Sequence, residues 1–241
     1  MSPIIVKNLF FQFPQIKGIK SALLGKSSGP AETFALKNLD FEIKHRERVA
    51  LIGGNGSGKT TLLKVLAGIY HPQKGQYFSQ GNIFTLFNVG IGSRHELSGI
   101  ENIKIQCLMA GIPTEQVPEY VQEVVEFSEL GEVINEPMKT YSAGMAMRLQ
   151  FAIATTLEPE ILLLDEWIGA GDKAFQDKAS ARLDKFVSSS NTFLLASHNP
   201  SIVKKYCQRA LWLKDGELFG DGPVDTVLRE YNAYVRKTSK K

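Results

Sequence analysis

Cysteine is scarce in this sequence. The two residues, Cys107 and Cys207, stand far apart in the 241-residue chain, with no Cys-x-x-Cys spacing and no other metal-ligand type close by. A disulfide framework and a thiolate metal site are therefore excluded as organising devices, and the usage fits a reducing compartment. Long apolar runs are also missing: about 18 consecutive apolar residues would be needed for a membrane-spanning helix, and none occur. The opening stretch MSPIIVKNLFFQFPQIKG has no charged start followed by a long apolar run, the pattern of a signal peptide. Excess charge of one sign is small. A net charge of +3 and a pI near 8.7 do not by themselves argue for nucleic acid. No internal repeat is found, which excludes a solenoid.

What is present is an ordinary globular composition, 43% hydrophobic and 22% charged, enough for one large domain or a core carrying an insertion. The segments IIVKNLFFQF and TFALKNLDFEIK read as strands, and ERVALIGG as a buried strand stopping at glycines. A loop broken by Gly, Ser and Pro separates the first two. KTTLLKVLAGIY has apolar residues at helical spacing, with Gly68 and Pro72 marking its end. From Gly90 to about Glu158 the pattern is mostly helical. Strand and helix then alternate through EILLLDE, KAFQDKASARLDKFVSSS, NTFLLASH and NPSIVKKYC. A hairpin is expected around Asp215-Gly216, followed by a closing helix VDTVLREYNAYVRK. The basic tail VRKTSKK reads as a solvated, frayed end, with a membrane-surface contact as the sharper alternative. The fold expected is α/β, a mostly parallel sheet with helices, preceded by antiparallel N-terminal strands and carrying an inserted α-helical subdomain at about 90–158.

One motif carries chemistry on its own. Gly53, Gly54, Asn55, Gly56, Ser57, Gly58, Lys59 and Thr60 fit G-x-x-x-x-G-K-[ST] without a mismatch, between a buried strand and a helix that continues with Thr61. Glycines let successive N–H groups curl toward phosphate oxygens, and the positive end of the following helix adds to that field. Lys59 supplies a charge for the β- and γ-phosphates, and Thr60 a hydroxyl for Mg²⁺. Downstream, the apolar run ILLL delivers Asp165 as a rigid carboxylate able to orient Mg²⁺ and its waters. Glu166 follows and points to the other side of the strand, where a carboxylate can polarise an attacking water. His198 follows the next strand. A lone His there is usually structural, but the strand order puts it at the sheet edge of Asp165 and Gly53, as a contact for the γ-phosphate.

The set GGNGSGKT, YSAGM, ILLLDE and ASH, in this order and spacing, resembles the nucleotide-binding domain of ABC transporters, and the resemblance covers essentially the whole chain 1–241. It implies a P-loop NTPase core that uses ATP and Mg²⁺. The family's signature, usually Leu-Ser-Gly-Gly-Gln, corresponds to Tyr141-Ser142-Ala143-Gly144-Met145. That segment keeps the Ser and the second Gly and departs at three of five positions. The resemblance places Ser142, Ala143 and Gly144 against the ATP held by a second copy, in an ATP-sandwich dimer. Asp172 corresponds to the acid that helps couple the two ATP sites. The spellings TYSAGMAMRLQFAIAT, DEWIGAGDKAFQDK and ELSGIENI resemble the ATPase subunits of polysaccharide exporters for O-antigen, teichoic acid or capsule. The long segment between the first two strands resembles an extension of the same subfamily.

Two departures matter. The Gln that most relatives use to touch Mg²⁺ and sense the membrane partner is missing from FTLFNVGIG, where Asn88 or a neighbouring backbone group stands nearest its place. The adenine-stacking aromatic, often Tyr, corresponds to Phe13, with Phe34 as the alternative. The expectation is thus an ATP-hydrolysing subunit on the cytoplasmic face of the cell membrane. It would act with transmembrane permease subunits, without nucleic acid and without an additional C-terminal carbohydrate-binding domain. The competing expectations are an exporter ATPase for a lipid or peptide, a soluble ABC-type ATPase acting on ribosomes or DNA, and a non-catalytic ATP-gated module.

Overall fold

The computed structural model describes residues 3–14, 34–85, 93–156, 159–165 and 173–238. The chain runs through β1 (Ile4–Gln12), β2 (Phe34–Ile43), β3 (Arg48–Ile52), α1 (Lys59–Leu66), β4 (Lys74–Ser79) and β5 (Ile83–Thr85). The helices α2 (Gly99–Met109), α3 (Val117–Ser128) and α4 (Ala143–Thr156) follow, with two short 3₁₀ turns before α4. It closes with β6 (Ile161–Asp165), α5 (Lys173–Ser189), β7 (Thr192–Ala196), α6 (Pro200–Tyr206), β8 (Arg209–Lys214), β9 (Glu217–Pro223) and α7 (Val224–Thr238).

Two sheets result. β2-β1-β4 is antiparallel, and the larger sheet has the order β5-β6-β7-β3-β8-β9. Its strands are parallel except for β9, which returns along β8. The runs RVALI, ILLLD and TFLLA are almost continuously apolar because both faces of β3, β6 and β7 are covered. Alternation assigns the faces. Val49 and Leu51 pack with Leu62, Leu63 and Leu66 of α1 and with Ile4, Leu9 and Leu36 of the small sheet. Ala50 and Ile52 pack on the opposite side with Phe175, Leu183, Phe186 and Val203. The turn Asp215-Gly216 has positive φ at both residues, 51° and 83°, as a two-residue hairpin requires.

The helices α2, α3 and α4 have an apolar cluster of their own, built on Ile103, Val124, Ile134 and Leu149. Ser98 starts α2 with a reciprocal capping box to Glu101. Both cysteines are buried free thiols, and burial pushes the Cys207 thiol up to about 12.

Three features differ from the sequence expectation. β4 is a polar, mostly exposed strand held by pairing with β1, and β5 has only three residues. Neither carries the alternation that marks a half-buried strand. α7 extends through Thr238, so four residues of the basic tail are helical rather than frayed. Of the loop expected from Pro14 to Thr33, residues 15–33 lie outside the described residues.

Two charge clusters tie the elements together. Asp184 of α5 accepts from Lys205 at 2.8 and 2.9 Å and from the Tyr206 hydroxyl of α6. Burial raises its carboxyl, but the hydrogen bonds from Lys205 and Tyr206 and the Lys205 charge outweigh that, and the net shift is downward. Arg209 of β8 makes a two-pronged pair with Asp221 at 2.6 and 2.7 Å and reaches Glu47 at 3.0 Å and the Glu42 carbonyl at 2.9 Å. It thereby clamps the β2–β3 turn to the β8–β9 hairpin.

Since Asp184 is depressed, its contribution is complete above the ordinary carboxylate range and is lost as pH falls through its own lowered value. Acid titration of unfolding should show a shallower acid limb for Asp184→Asn, and an unchanged limb would contradict the assignment. Arg209→Ala leaves three partners without their donor and should cost about 2 kcal/mol in urea unfolding, between exposed and buried pairs. A loss within about 0.5 kcal/mol would show the clamp to be idle.

Candidate nucleotide site

The glycine-rich segment Gly53–Gly58 sits where β3 leaves the sheet. Gly53, Gly56 and Gly58 all have positive φ, at 150°, 74° and 106°. Two of them are also hemmed in. A Cβ on Gly53 would lie 2.2 Å from the Leu213 carbonyl oxygen and 2.6 Å from Ser57 Oγ. One on Gly58 would meet the Ala35 carbonyl oxygen at 2.8 Å. The segment is therefore wedged between β8 and β2, and only glycine fits at either point. The hairpin turn braces it from behind: Gly216 N–H donates to the Ser57 carbonyl at 3.2 Å, and Lys37 N–H donates to the Gly216 carbonyl at 2.7 Å. This bracing is tertiary, and nothing local in the Asp215-Gly216 sequence signals it.

Helix α1 begins without a side-chain cap and without an acidic residue in its first turn. Its first intrahelical bond runs from Leu62 N–H to the Gly58 carbonyl. No side chain caps that first turn, the end of a helix where backbone donors lack intrahelical acceptors. Lys59, 7% exposed, donates from Nζ to the carbonyls of Gly53 and Gly54, each at 2.9 Å. A primary ammonium thus lies over the loop's opening residues, beside a helix start that attracts anions. Gly54, Asn55, Gly56 and Thr60 are exposed, and Ser57 is buried.

Strand register brings three predicted residues to one edge. Ala196 of β7 pairs with Leu51 on one side and with Asp165 on the other. Two residues further along, the chain reaches Gly53 from β3 and His198 from β7. Asp165 is thus two strand spacings, about 10 Å, from β3, and it is partly exposed while the rest of β6 is buried. His198 is exposed and precedes Asn199, which caps α6 through Ser201 N–H at 2.9 Å.

The two aromatic candidates also end near this edge. The β1–β2 ladder closes at Gln12↔Phe34, one residue from Ala35, whose carbonyl lies against Gly58. Phe13 is 49% exposed and stands edge-on to Phe11 and Tyr70. Phe34 stands edge-on to Phe10.

Ser142, Ala143 and Gly144 are exposed at the start of α4, which packs on α2, α3 and α5. Ser142 Oγ accepts from Met145 N–H at 3.2 Å. A Cβ on Gly144 would meet nothing nearer than Ser142 Oγ at 3.9 Å. The fold itself does not demand glycine there, and the space in front of it is open. Glu166, Asp172 and Asn88 lie outside the described residues.

Comparison with known proteins agrees with this architecture. Residues 36–169 match a family model described as ABC transporter. The chain is 40% identical over 232 residues to the O-antigen export system ATP-binding protein RfbE of Yersinia enterocolitica, across 91% of this chain and 97% of that protein. It is 38% identical over 204 residues to the teichoic acids export ATP-binding protein TagH of Bacillus cereus, across 85% of this chain but only 37% of that longer protein. Among solved structures, a dimeric ATP-binding cassette in a post-hydrolysis state, bound to ADP and Pi, superposes with a TM-score of 0.70 at 22% identity. That match covers 92% of this chain and 98% of that one, and it is a likeness of fold.

Gly53→Ala should weaken binding of a nucleoside triphosphate by about tenfold or more, because the backbone is both strained and blocked. Gly56→Ala, with positive φ but nothing within 4 Å, should lose clearly less. Calorimetric titration of both variants reads the difference, and equal losses would contradict the wedge.

Proposed function

The chain belongs to the ABC transporter family, and on that premise we propose that it is the ATP-hydrolysing subunit powering export of a lipid-linked polysaccharide, such as O-antigen, across the cytoplasmic membrane with a transmembrane partner. The observation that carries the ATPase chemistry is the uncapped start of α1 behind a glycine wedge, with the Lys59 ammonium held over it. The cargo reading rests on near full-length similarity to an O-antigen export ATP-binding protein.

In this reading Lys59 leaves the Gly53 and Gly54 carbonyls for the β- and γ-phosphates. The N–H groups of residues 54–61 take the remaining phosphate oxygens, and Phe13 or Phe34 takes the adenine. Among the described residues no group of three His, Cys, Asp or Glu side chains converges on a metal position. A metal would then be held by few protein oxygens and mainly by phosphate and water, the way Mg²⁺ binds. Thr60 and Asp165 fit as those protein ligands, and bound Mg²⁺ supplies charge neutralisation at the phosphates. Glu166 orients and deprotonates the attacking water, and His198 contacts the γ-phosphate.

The exposed cap at Ser142–Gly144 faces ATP held by a second copy, and Asp172 couples the two sites. The open space at Gly144 suits such an approach. ATP binding then favours a closed pair through its differential affinity for that state. The helical subdomain at about 90–158 and the segment around Asn88 form the surface toward the permease. Exposed Leu108 and Met109 at the end of α2 support this. The protein would sit peripherally on the cytoplasmic face of the membrane, and no helix among the described residues is long and apolar enough to cross it.

Glu166→Gln should keep ATP binding, slow hydrolysis by about 100-fold or more, and accumulate ATP-bound dimers on size-exclusion chromatography. Hydrolysis at the wild-type rate would remove Glu166 from its assigned role.

A further inference from the structure

Helix α4 is shared by two cores. Its Leu149, Ala152 and Ile153 belong to the cluster of α2 and α3, while Phe151 and Ala154 belong to the cluster under the main sheet. On that second side three helices meet through three rings: Phe127 of α3, Phe151 of α4 and Phe175 of α5. Their centroids are 5.8 to 6.3 Å apart. Three cations close over them. The Arg148 guanidinium lies 4.8 Å from the Phe175 ring, and Lys178 and Arg182 lie 4.8 and 5.1 Å from Phe127.

The two α5 cations are also fixed at polar ends. Lys178 Nζ donates to the Phe127 carbonyl at 3.1 Å and pairs with Glu129. Arg182 Nη2 donates to the Thr156 hydroxyl at 3.0 Å and pairs with Glu123. Each of these contacts ties α5 to α3 or α4.

We infer that this cluster is a rigid link that makes one ATP site answer to the other. The inference rests on the function proposed above, in which Ser142–Gly144 meet ATP on the second copy. Those residues open α4. At its other end, Thr156 is held by Arg182, and along its length Arg148 and Phe151 are held by Phe175. Helix α5 in turn begins at Lys173, directly after Asp172 and seven residues after Glu166.

A load on the α4 cap cannot slide α4 past α5 without breaking ring stacking, cation–ring contacts and hydrogen bonds together. Phe151 and Phe175 are buried and the Arg182 side chain is only 17% exposed, so the ring contacts and Arg182 set the stiffness of the link. The load is passed to α5, which follows this chain's own acids in the sequence. Lys178 and Arg182 are positioning residues in this scheme: they touch no nucleotide and act through α4 and α5. A purely structural role for them would lower stability and leave the dependence between the sites alone.

The test is ATP hydrolysis against ATP concentration for the full chain and for Arg182→Met, Lys178→Met and Arg182→Lys. Affinity for a fluorescent ATP analogue is measured in parallel at protein concentrations too low for dimers. The wild-type Hill coefficient should exceed 1, as for two coupled sites. In both Met variants it should fall to about 1 with kcat down about tenfold, while analogue affinity stays within about twofold. Arg182→Lys should recover most of the cooperativity. Should Arg182→Met fail to fold, Lys178→Met reads the same effect, since its side chain is 35% exposed.

Wild-type cooperativity in the folded Met variants would overturn the link and leave the ATPase reading intact. A wild-type chain that binds no ATP, or hydrolyses it with a Hill coefficient of 1, would overturn the two-site premise and the link with it.

Discussion

A helix that starts with unpaired backbone donors is a cost unless something accepts from them. Helix α1 starts without a side-chain cap, with a glycine at that position and no acid in its first turn. The fold goes to some length to keep it so. β8 presses the Leu213 carbonyl against Gly53, β2 presses the Ala35 carbonyl against Gly58, and the β8–β9 turn donates to the Ser57 carbonyl. Three elements distant in sequence therefore fix one loop of six residues, and Lys59 holds its ammonium over the carbonyls of Gly53 and Gly54. The sheet places Asp165 and His198 along the same edge by register alone. The shape of this loop is thus a property of the whole sheet rather than of a motif attached to it.

The second theme is division. The site stands on strands buried on both faces, while α2, α3 and α4 have an apolar cluster apart from the sheet. A unit with its own core can shift as a body without opening the core beneath the site. An ATPase that must pass motion to another protein needs such an arrangement. Among the described residues α4 contributes buried side chains to both clusters, and it is also the helix whose cap is exposed and open at Gly144. The segment that would meet a second nucleotide and the helix that bridges the two cores are one element.

Much of this was legible in the sequence for identifiable reasons. Glycine spacing around Lys59 has few other physical uses. Strands buried on both faces show as unbroken apolar runs, so Asp165 stood out as a carboxylate ending one of them. The Asp215-Gly216 turn announced itself by its φ requirements. Other features left no local signal. β4 is polar and exists because β1 offers it a ladder. Arg209 gathers partners from three places in the chain. Phe127, Phe151 and Phe175 each look like ordinary helix core until the packing of three helices puts them together. Phe13 and Phe34 end on the same side of the β1–β2 ladder, so proximity to the loop does not separate them.

The proposed function requires that this ATPase work on a membrane-embedded exporter of polysaccharide. The most direct measurement is affinity purification of the tagged chain from detergent-solubilised membranes of its own host, with partners identified by mass spectrometry. A polytopic membrane protein encoded beside glycosyltransferases should be recovered. Recovery with ribosomes or DNA, and no membrane protein, would contradict it.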